Sequence, residues 1–202
     1  MTPPKRKRRS QRAELCTVLL VTNGRVTENA YLQQLCRRVD RDRVSVKVKV
    51  INGDPLTVVK GLSGPRSDLG DYREVWIVVD HDGRDRHDFL AKCRRLSSKR
   101  TVVHGVVSVP CFEVWLNAHY APVKNYQNQA DAQTHYRELT GLSSKDAKML
   151  PDDFPWDRGA QAAARCHLPT DSLPETDTQG PCPSTTMPHL LRSLGLLSAD
   201  EA

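Results

Sequence analysis

Residues 74–83 read EVWIVVDHDG, and this stretch decides the fold. The apolar run at its centre is rich in β-branched residues, a composition typical of strands that are buried on both faces of a parallel sheet. Asp80, Asp82 and Gly83 then end the run with residue types that favour a turn. The stretch therefore predicts a central strand at residues 74–79, with two carboxylates directly after it.

Three further stretches predict strands of the same sheet. Residues 16–21, CTVLLV, form a second continuous apolar run, and residues 101–107 are rich in valine. Residues 44–51, VSVKVKVI, alternate strictly between apolar and polar side chains. Because strict alternation indicates one face in water, we expect this strand at or near an edge of the sheet.

Apolar residues at helical spacing predict helices between the strands and after the last of them. The expected helices are 27–39 with Thr27 as N-cap, a short segment after the turn at 52–55, 84–96, 111–120 opened by Pro110, 130–140, 158–167, and 185–197 with Ser184 as cap. Strands that alternate with helices in this way predict an α/β fold built on a mainly parallel sheet flanked by helices.

The length of 202 residues suits one domain with appendages. We expect the α/β core over residues 15–122 and a helical C-terminal extension of the same domain over residues 123–202. Within that extension, residues 169–183 are rich in Pro, Ser, Thr and Asp and predict a loose loop. Residues 1–14 predict a disordered basic tail.

The net charge of +6 resides in that tail. The first twelve residues, MTPPKRKRRSQR, hold six basic side chains and no acidic one, so the rest of the chain balances 24 basic residues against 24 acidic ones. This balance argues against a uniformly basic body that coats nucleic acid through its total charge. We expect the tail to act as an auxiliary phosphate-binding arm whose contribution depends on salt and not on nucleotide sequence.

Other features of composition bear on the compartment. No stretch approaches the roughly 18 consecutive apolar residues of a membrane span, and the charged N-terminus lacks the apolar region of a signal peptide. The six cysteines are scattered without a CxxC pair, as is typical of thiols in a reducing environment. We therefore expect a cytoplasmic protein that does not engage membranes.

In open parallel sheets, functional sites form beyond the carboxyl ends of the strands. This rule directs attention to residues 22–28, 80–82 and 108–113. Asp80 and Asp82 provide hard oxygen ligands of the kind that Mg²⁺ or Mn²⁺ prefers, although DHDG is also an ordinary turn sequence.

Other residues near the expected sheet edge have simpler interpretations beside the functional ones. Glu28 and Glu113 each fall in the first turn of a predicted helix, where the helix dipole alone favours an acid. His119 lies on an apolar helix stripe and fits a buried histidine better than a catalytic base. Ser108 and Cys111 lack any nucleophile signature, so packing or capping is the better interpretation.

Several strings together resemble the RloB family. Its pattern consists of T-E-G-x-x-T-E after a strand, an apolar strand that ends in D-x-D, S-x-P-C-F-E-x-W-L, and H-[FY] shortly afterwards. The matching strings here are TNGRVTE at 22–28, VDHD at 79–82, SVPCFEVWL at 108–116, HY at 119–120, and PSTT at 183–186, which resembles the family's C-terminal motif.

The resemblance implies a Toprim/Rossmann-like fold with a metal site used on phosphodiesters. Asp80 and Asp82 would bind Mg²⁺ or Mn²⁺, and Glu28 and Glu113 would be supporting acids at the same sheet edge. Such proteins are associated with anti-phage and abortive-infection defence loci as known or presumed nucleases. The implied partners are RNA or DNA and a protein of the defence system.

Asn23 departs from the family pattern, which has a glutamate at that position. An amide can coordinate or hydrogen-bond but cannot take up a proton at neutral pH. Asn23, Glu28 and Glu113 are therefore the candidate catalytic residues, with Glu28 as the group that could compensate for the lost acid. Three functions stay open: a nuclease, a catalytically silent nucleic-acid-binding or sensor module, and a phosphatase or nucleotidyl hydrolase. Homo-oligomerisation through the edge strand at 44–51 also stays open.

Overall fold

A computed structural model of the chain describes residues 15–64, 67–143, 149–167 and 172–198. The tail predicted at 1–14 and residues 169–171 of the predicted loop lie outside the described residues.

The described residues form one mostly parallel sheet. Its five strands, in chain order, are β1 Cys16–Thr22, β2 Val44–Val50, β3 Glu74–Asp80, β4 Val102–Val109 and β5 Ser184–Thr185. The order across the sheet is β2-β1-β3-β4-β5, in which β5 alone is antiparallel to its neighbour. The α/β fold predicted from the sequence is confirmed, and the alternating strand β2 lies at an edge, as expected.

Helices flank this sheet. They are α1 Thr27–Cys36, α2 Pro55–Leu62, α3 His87–Leu96, α4 Glu113–Tyr120, α5 Gln129–Thr140, α6 Gly159–Arg165 and α7 Met187–Ser193, with short 3-10 turns at Leu69–Asp71 and Trp156–Arg158. Among the described residues, no helix is long and apolar enough to cross a membrane.

Several helix ends differ from the sequence prediction. Thr27 is the first residue of α1 instead of its cap, and the position before it, Val26, makes no side-chain capping bond. Pro110 precedes α4 instead of opening it, because the helix begins at Glu113. Ser184 is not a helix cap: it pairs with Val109 in the β4–β5 ladder and is fully buried. Pairing with a strand distant in sequence therefore outweighed the local preference of serine for a cap.

Two apolar cores lie on the two faces of the sheet. The smaller one is mainly aliphatic and lies under α2 and α3, with Phe89 as its aromatic member. The larger one is formed with α1 and α4 to α7 and contains most of the buried aromatic side chains. Every residue of α4 from Glu113 to His119 is buried. This helix is covered on all sides because the C-terminal helices pack over it.

Candidate functional site

The site predicted at the carboxyl ends of the strands is assembled by strand register and two backbone hydrogen bonds. Asp80, the last residue of β3, lies opposite Ser108 of β4. The N–H of His81 donates to the Ser108 carbonyl at 2.9 Å, and that of Asp82 donates to the Pro110 carbonyl at 3.1 Å. The DHDG loop is therefore held against the segment that leads into α4.

This loop turns through two left-handed residues. Asp82 has φ of 50° and Gly83 has φ of 68°. Glycine adopts this region without steric penalty, and aspartate is among the few other residue types that tolerate it. One of the two predicted metal ligands, Asp82, therefore lies in a backbone region that few residue types other than glycine adopt.

Glu28 reaches the same edge from α1 because residue 24 has no side chain. A Cβ on Gly24 would coincide with the carboxyl group of Glu28, so the glutamate folds back over the glycine. Thr22 steadies this turn, since its hydroxyl accepts the N–H of Gly24 at 2.9 Å. The glycine of the Asn-Gly pair after β1 therefore allows the Glu28 carboxylate to lie close to the backbone.

Asp80 is the electrostatic centre of the site. Its Oδ1 atom is buried and has no hydrogen-bond partner among the residues that the structure describes. Burial raises the pKa of Asp80 well above its usual range, and the negative charges of Glu28, Glu113 and Asp82 raise it further. A backbone hydrogen bond from Phe112 offsets only part of this effect. The fold thus gathers four carboxyl groups that repel one another when ionised.

Glu113 is 4% exposed and occupies the first position of α4. The positive end of the helix dipole favours a carboxylate there. Its neighbour Cys111 is fully buried, and burial together with the charges of Glu113 and Asp80 raises the pKa of the Cys111 thiol. A thiol with a raised pKa is a poor nucleophile, so Cys111 acts as a packing residue.

Ser108 and His119 do not join the carboxylates as reactive groups. The Ser108 hydroxyl is fully buried and shares a hydrogen bond of 2.8 Å with the hydroxyl of Thr185 in β5. His119 is buried farther along α4, and its Nδ1 lies 3.1 Å from the carbonyl oxygen of Pro155. Both therefore have structural contacts within the core.

Asn23 is directed to a different loop. Its side-chain amide donates to the carbonyl of Gly53, after β2, at 3.1 Å. The amide thus ties the loop after β1 to the loop after β2.

Arg86 also lies at this edge of the sheet, where the sequence did not indicate it. It falls within the helix predicted over 84–96, but α3 begins one residue later, and Arg86 is only 9% exposed. Its Nε donates to the backbone carbonyl of Asp80 at 2.8 Å, and its guanidinium lies 3.8 Å from an oxygen of Asp82. Its own N–H donates to the side chain of Gln179 at 2.8 Å. The one local sign of the contact between Arg86 and Asp82 is their spacing of four residues. The contact with Gln179 cannot be inferred from local sequence, because the two residues are far apart in the chain.

The residue types at this edge fit a hard cation. Mg²⁺ needs only one or two protein carboxylates because it retains several of its waters. Oδ1 of Asp80 is buried and accepts no hydrogen bond from the described residues, so its lone pairs are available to a ligand. In the described part of the chain, no group of three or more His, Cys, Asp or Glu side chains is arranged to hold a metal ion together. A metal here would therefore be held by one or two carboxylates and water.

The fold and the site define an α/β protein whose parallel sheet gathers acidic side chains at its carboxyl edge. A family model described as RloB-like protein matches residues 18–194, and the chain belongs to this family. No curated protein and no solved structure matched the chain. The Toprim assignment implied by the sequence motifs stays a prediction.

Proposed function

We propose that this protein is a metal-dependent nuclease that hydrolyses phosphodiester bonds of RNA or DNA in the cytoplasm, as part of anti-phage defence. The observation that carries the proposal is the buried Oδ1 of Asp80, which finds no hydrogen-bond partner in the described part of the chain and lies among three further carboxylates. Leaving such a group uncompensated is unfavourable, and carboxyl groups perturbed by burial and neighbouring charges cluster at functional sites.

In this proposal, Asp80 and Asp82 hold the metal, Mg²⁺ or Mn²⁺. The bound cation would polarise a phosphate oxygen and stabilise the charge that develops during displacement. Glu28 and Glu113 are the supporting proton-transfer groups: one, ionised, takes the proton of the attacking water, and the other, protonated, gives its proton to the departing oxygen. Arg86 holds the β3 end in place through the Asp80 carbonyl and partly balances the acidic charge.

A metal titration followed by calorimetry is the most direct test. Wild-type protein should bind Mg²⁺ or Mn²⁺, and Asp80→Asn should lose that binding. Asp88→Asn is a matched control, because Asp88 is exposed in the first turn of α3 and outside the carboxylate group. Equal metal binding by all three proteins would contradict the assignment of the site.

The substrate and the role in defence need separate assays. We expect metal-dependent cleavage of RNA or DNA, and loss of phage protection in Asp80→Ala and Asp82→Ala. If no nucleic acid is cleaved and both variants protect cells as wild type does, the nuclease proposal is wrong. Hydrolysis of small phosphate esters without polymer cleavage would instead identify a phosphatase.

Asn23 favours a second candidate, a catalytically silent nucleic-acid-binding or sensor module. Its amide cannot act as an acid or base, and it is engaged with the Gly53 carbonyl. For a silent module, wild-type protein should bind nucleic acid without cleaving it, and Asn23→Glu should create cleavage. Strong cleavage by the wild-type protein would reject this candidate.

A further inference from the structure

A row of basic side chains lies along the amino edge of the sheet, opposite the carboxylates. Its members precede three of the parallel strands: Arg41 and Arg43 before β2, Arg73 before β3, and Lys99 and Arg100 before β4. We call these five residues the basic row, and all of them are exposed. The three strands and β1 are parallel neighbours in the order β2-β1-β3-β4, so the row follows one continuous edge.

The positive charge of the chain is concentrated at this edge. The segments that precede the four parallel strands are residues 1–15, 40–43, 71–73 and 99–100, and they hold eleven basic and four acidic side chains. The rest of the chain then has 19 basic and 20 acidic side chains, because the totals are 30 and 24. The body is therefore close to neutral only as an average, with the cations of the tail and of the basic row joined at one edge.

Two open cavities lie along the basic row and share Leu15 in their linings. One, of about 560 Å³, is lined by three members of the row, and the other, of about 450 Å³, is lined by Arg37 and Arg41. Among the described residues that line them, Asp71 is the one acidic side chain. The basic tail joins the described chain at Leu15. The concave surface and the tail therefore present cations to the same side of the molecule.

Hydrogen bonds fix the backbone that carries the row. The Ser98 hydroxyl accepts the N–H of Arg100 at 3.2 Å and that of Thr101 at 3.1 Å, and the N–H of Ser98 donates to the Thr101 carbonyl at 2.8 Å. The Thr17 hydroxyl accepts the N–H of Arg73 at 3.1 Å. Because these backbone positions are already ordered, a partner that binds the side chains has a smaller entropic cost to overcome.

We propose that the basic row binds the sugar–phosphate backbone of a nucleic-acid strand, at a site separate from the carboxylates. Neighbouring strands lie about 4.8 Å apart, so the row extends over about 14 Å and meets a linear, regularly charged polyanion at successive points. Asp80 lies seven residues beyond Arg73 along β3, at a distance of about 20 Å. The partner has the chemistry of the proposed substrate, but binding here requires neither the metal nor cleavage.

Fluorescence anisotropy on the full-length chain tests the proposal. The probe is a labelled single-stranded DNA of mixed sequence and about 12 nucleotides, within the usual site size of single-strand modules. A chelator is present, so that the measurement does not depend on a metal at the carboxyl edge. We expect saturable binding that weakens as salt is added, because phosphate contacts release counterions. Absence of saturable binding would show that the proposal is wrong.

Two double variants locate the binding. Lys99→Gln with Arg100→Gln should weaken binding about tenfold, and should reduce the slope of log affinity against log salt by about 1.4, since each phosphate contact on a single strand contributes about 0.7. Arg25→Gln with Arg84→Gln is the matched control, because it removes two charges from exposed residues at the carboxyl edge. This control should bind as wild type does, and both variants should keep the wild-type circular dichroism.

The alternatives give different results. A weaker control with an unchanged row variant would place the strand at the carboxyl edge, and wild-type affinity in both variants would leave the tail as the whole site. Either result would overturn the proposal. Polyglutamate at equal charge concentration should compete at least about tenfold less effectively than unlabelled DNA, and equal competition would instead indicate an acidic polypeptide as partner. Loss of binding in the row variant alone would support the proposal even if the protein cleaves no nucleic acid.

Discussion

The two edges of the sheet differ in whether their polar side chains are paired by hydrogen bonds. At the amino edge, the Thr17 hydroxyl donates to the Asp71 carbonyl at 3.0 Å and accepts the Arg73 N–H at 3.1 Å. The Thr101 hydroxyl likewise reaches two backbone carbonyls of the loop before β3. At the carboxyl edge, no described residue forms a hydrogen bond with the buried Oδ1 of Asp80, and three other carboxyl groups lie near it.

This difference indicates that the paired hydroxyl groups at the amino edge stabilise the fold, whereas the carboxyl groups at the carboxyl edge are arranged to bind a ligand. The Thr101 hydroxyl satisfies partly buried backbone carbonyls at the amino edge, which stabilises the fold. The carboxyl edge concentrates like charges, which destabilises the folded state in the absence of a ligand. Neutralising Asp80 at the carboxyl edge and removing the Thr101 hydroxyl at the amino edge should therefore change stability in opposite directions.

Asp80→Asn should have the largest effect. Under the proposed function it reduces cleavage at least about 100-fold, since it removes a metal-binding charge. It should also raise the free energy of unfolding at pH 7 by about 1–2 kcal/mol without metal, because a buried carboxylate among like charges becomes a neutral amide. Urea denaturation in the presence of a chelator, together with a cleavage assay, measures both effects.

The stability gain of Asp80→Asn should depend on pH. The pKa of Asp80 is raised in the folded state, so its contribution to stability is fully present below the ordinary carboxyl pKa, about 4, and is lost as the pH rises through the folded-state value. The difference between variant and wild type should therefore be small near pH 4 and grow toward neutrality. A difference that stayed constant over this range would contradict the raised pKa.

Arg86→Met should have the next largest effect. The variant loses the hydrogen bond to the Asp80 carbonyl and the positive charge near Asp82. We expect a loss of about 1–2 kcal/mol in unfolding free energy and about a tenfold decrease in cleavage. Arg84→Met is the matched control, since Arg84 is exposed in the same loop. Equal behaviour of the two variants would remove Arg86 from the site.

Gly24→Ala should change activity without a large change in stability. The added methyl group displaces the Glu28 carboxyl, which lies at the end of a flexible side chain and can move. Cleavage should fall about tenfold while the unfolding free energy stays within about 0.5 kcal/mol. Gly70→Ala, at the amino edge, adds a methyl group into open space and should change neither quantity.

Thr101→Val should have the smallest effect on function. It removes the hydroxyl that donates to the carbonyls of Leu69 and Tyr72, at 3.1 and 2.8 Å. The unfolding free energy should fall by about 1–2 kcal/mol, while metal affinity and cleavage stay unchanged. A loss of metal binding in this variant would show that the two edges are coupled.

Much of the fold could be predicted because its strands carry local patterns. The buried runs that became β1 and β3 are continuous and apolar, whereas β2 alternates, and these patterns distinguish central strands from an edge strand. The rule for parallel sheets then placed Asp80 at the correct edge. Helix ends were predicted less well, as Ser184 shows, because capping preferences are weak compared with tertiary pairing.

The remaining features depend on contacts between distant segments. Arg86 fell within the helix predicted over 84–96, but it is buried beside Asp80, and its backbone N–H donates to the side chain of Gln179, which is 93 residues away in the chain. A cavity of about 290 Å³ beside His119 likewise combines α1, α4, α6 and α7. Local periodicity gives no information about contacts between segments that are distant in the chain, so the sequence alone could not predict that these residues lie together.

The α/β class, the edge position of β2 and the carboxylates after a buried strand could all be predicted from the sequence. These features depend on the apolar periodicity of residues that are neighbours in the chain. Other properties became visible only in the tertiary structure. The charges of Glu28, Asp82 and Glu113 raise the pKa of Asp80, and Arg86 is buried beside these residues. His119 and Tyr31 line a shared cavity. These properties depend on distance and solvent exclusion, which exist only once the chain has packed.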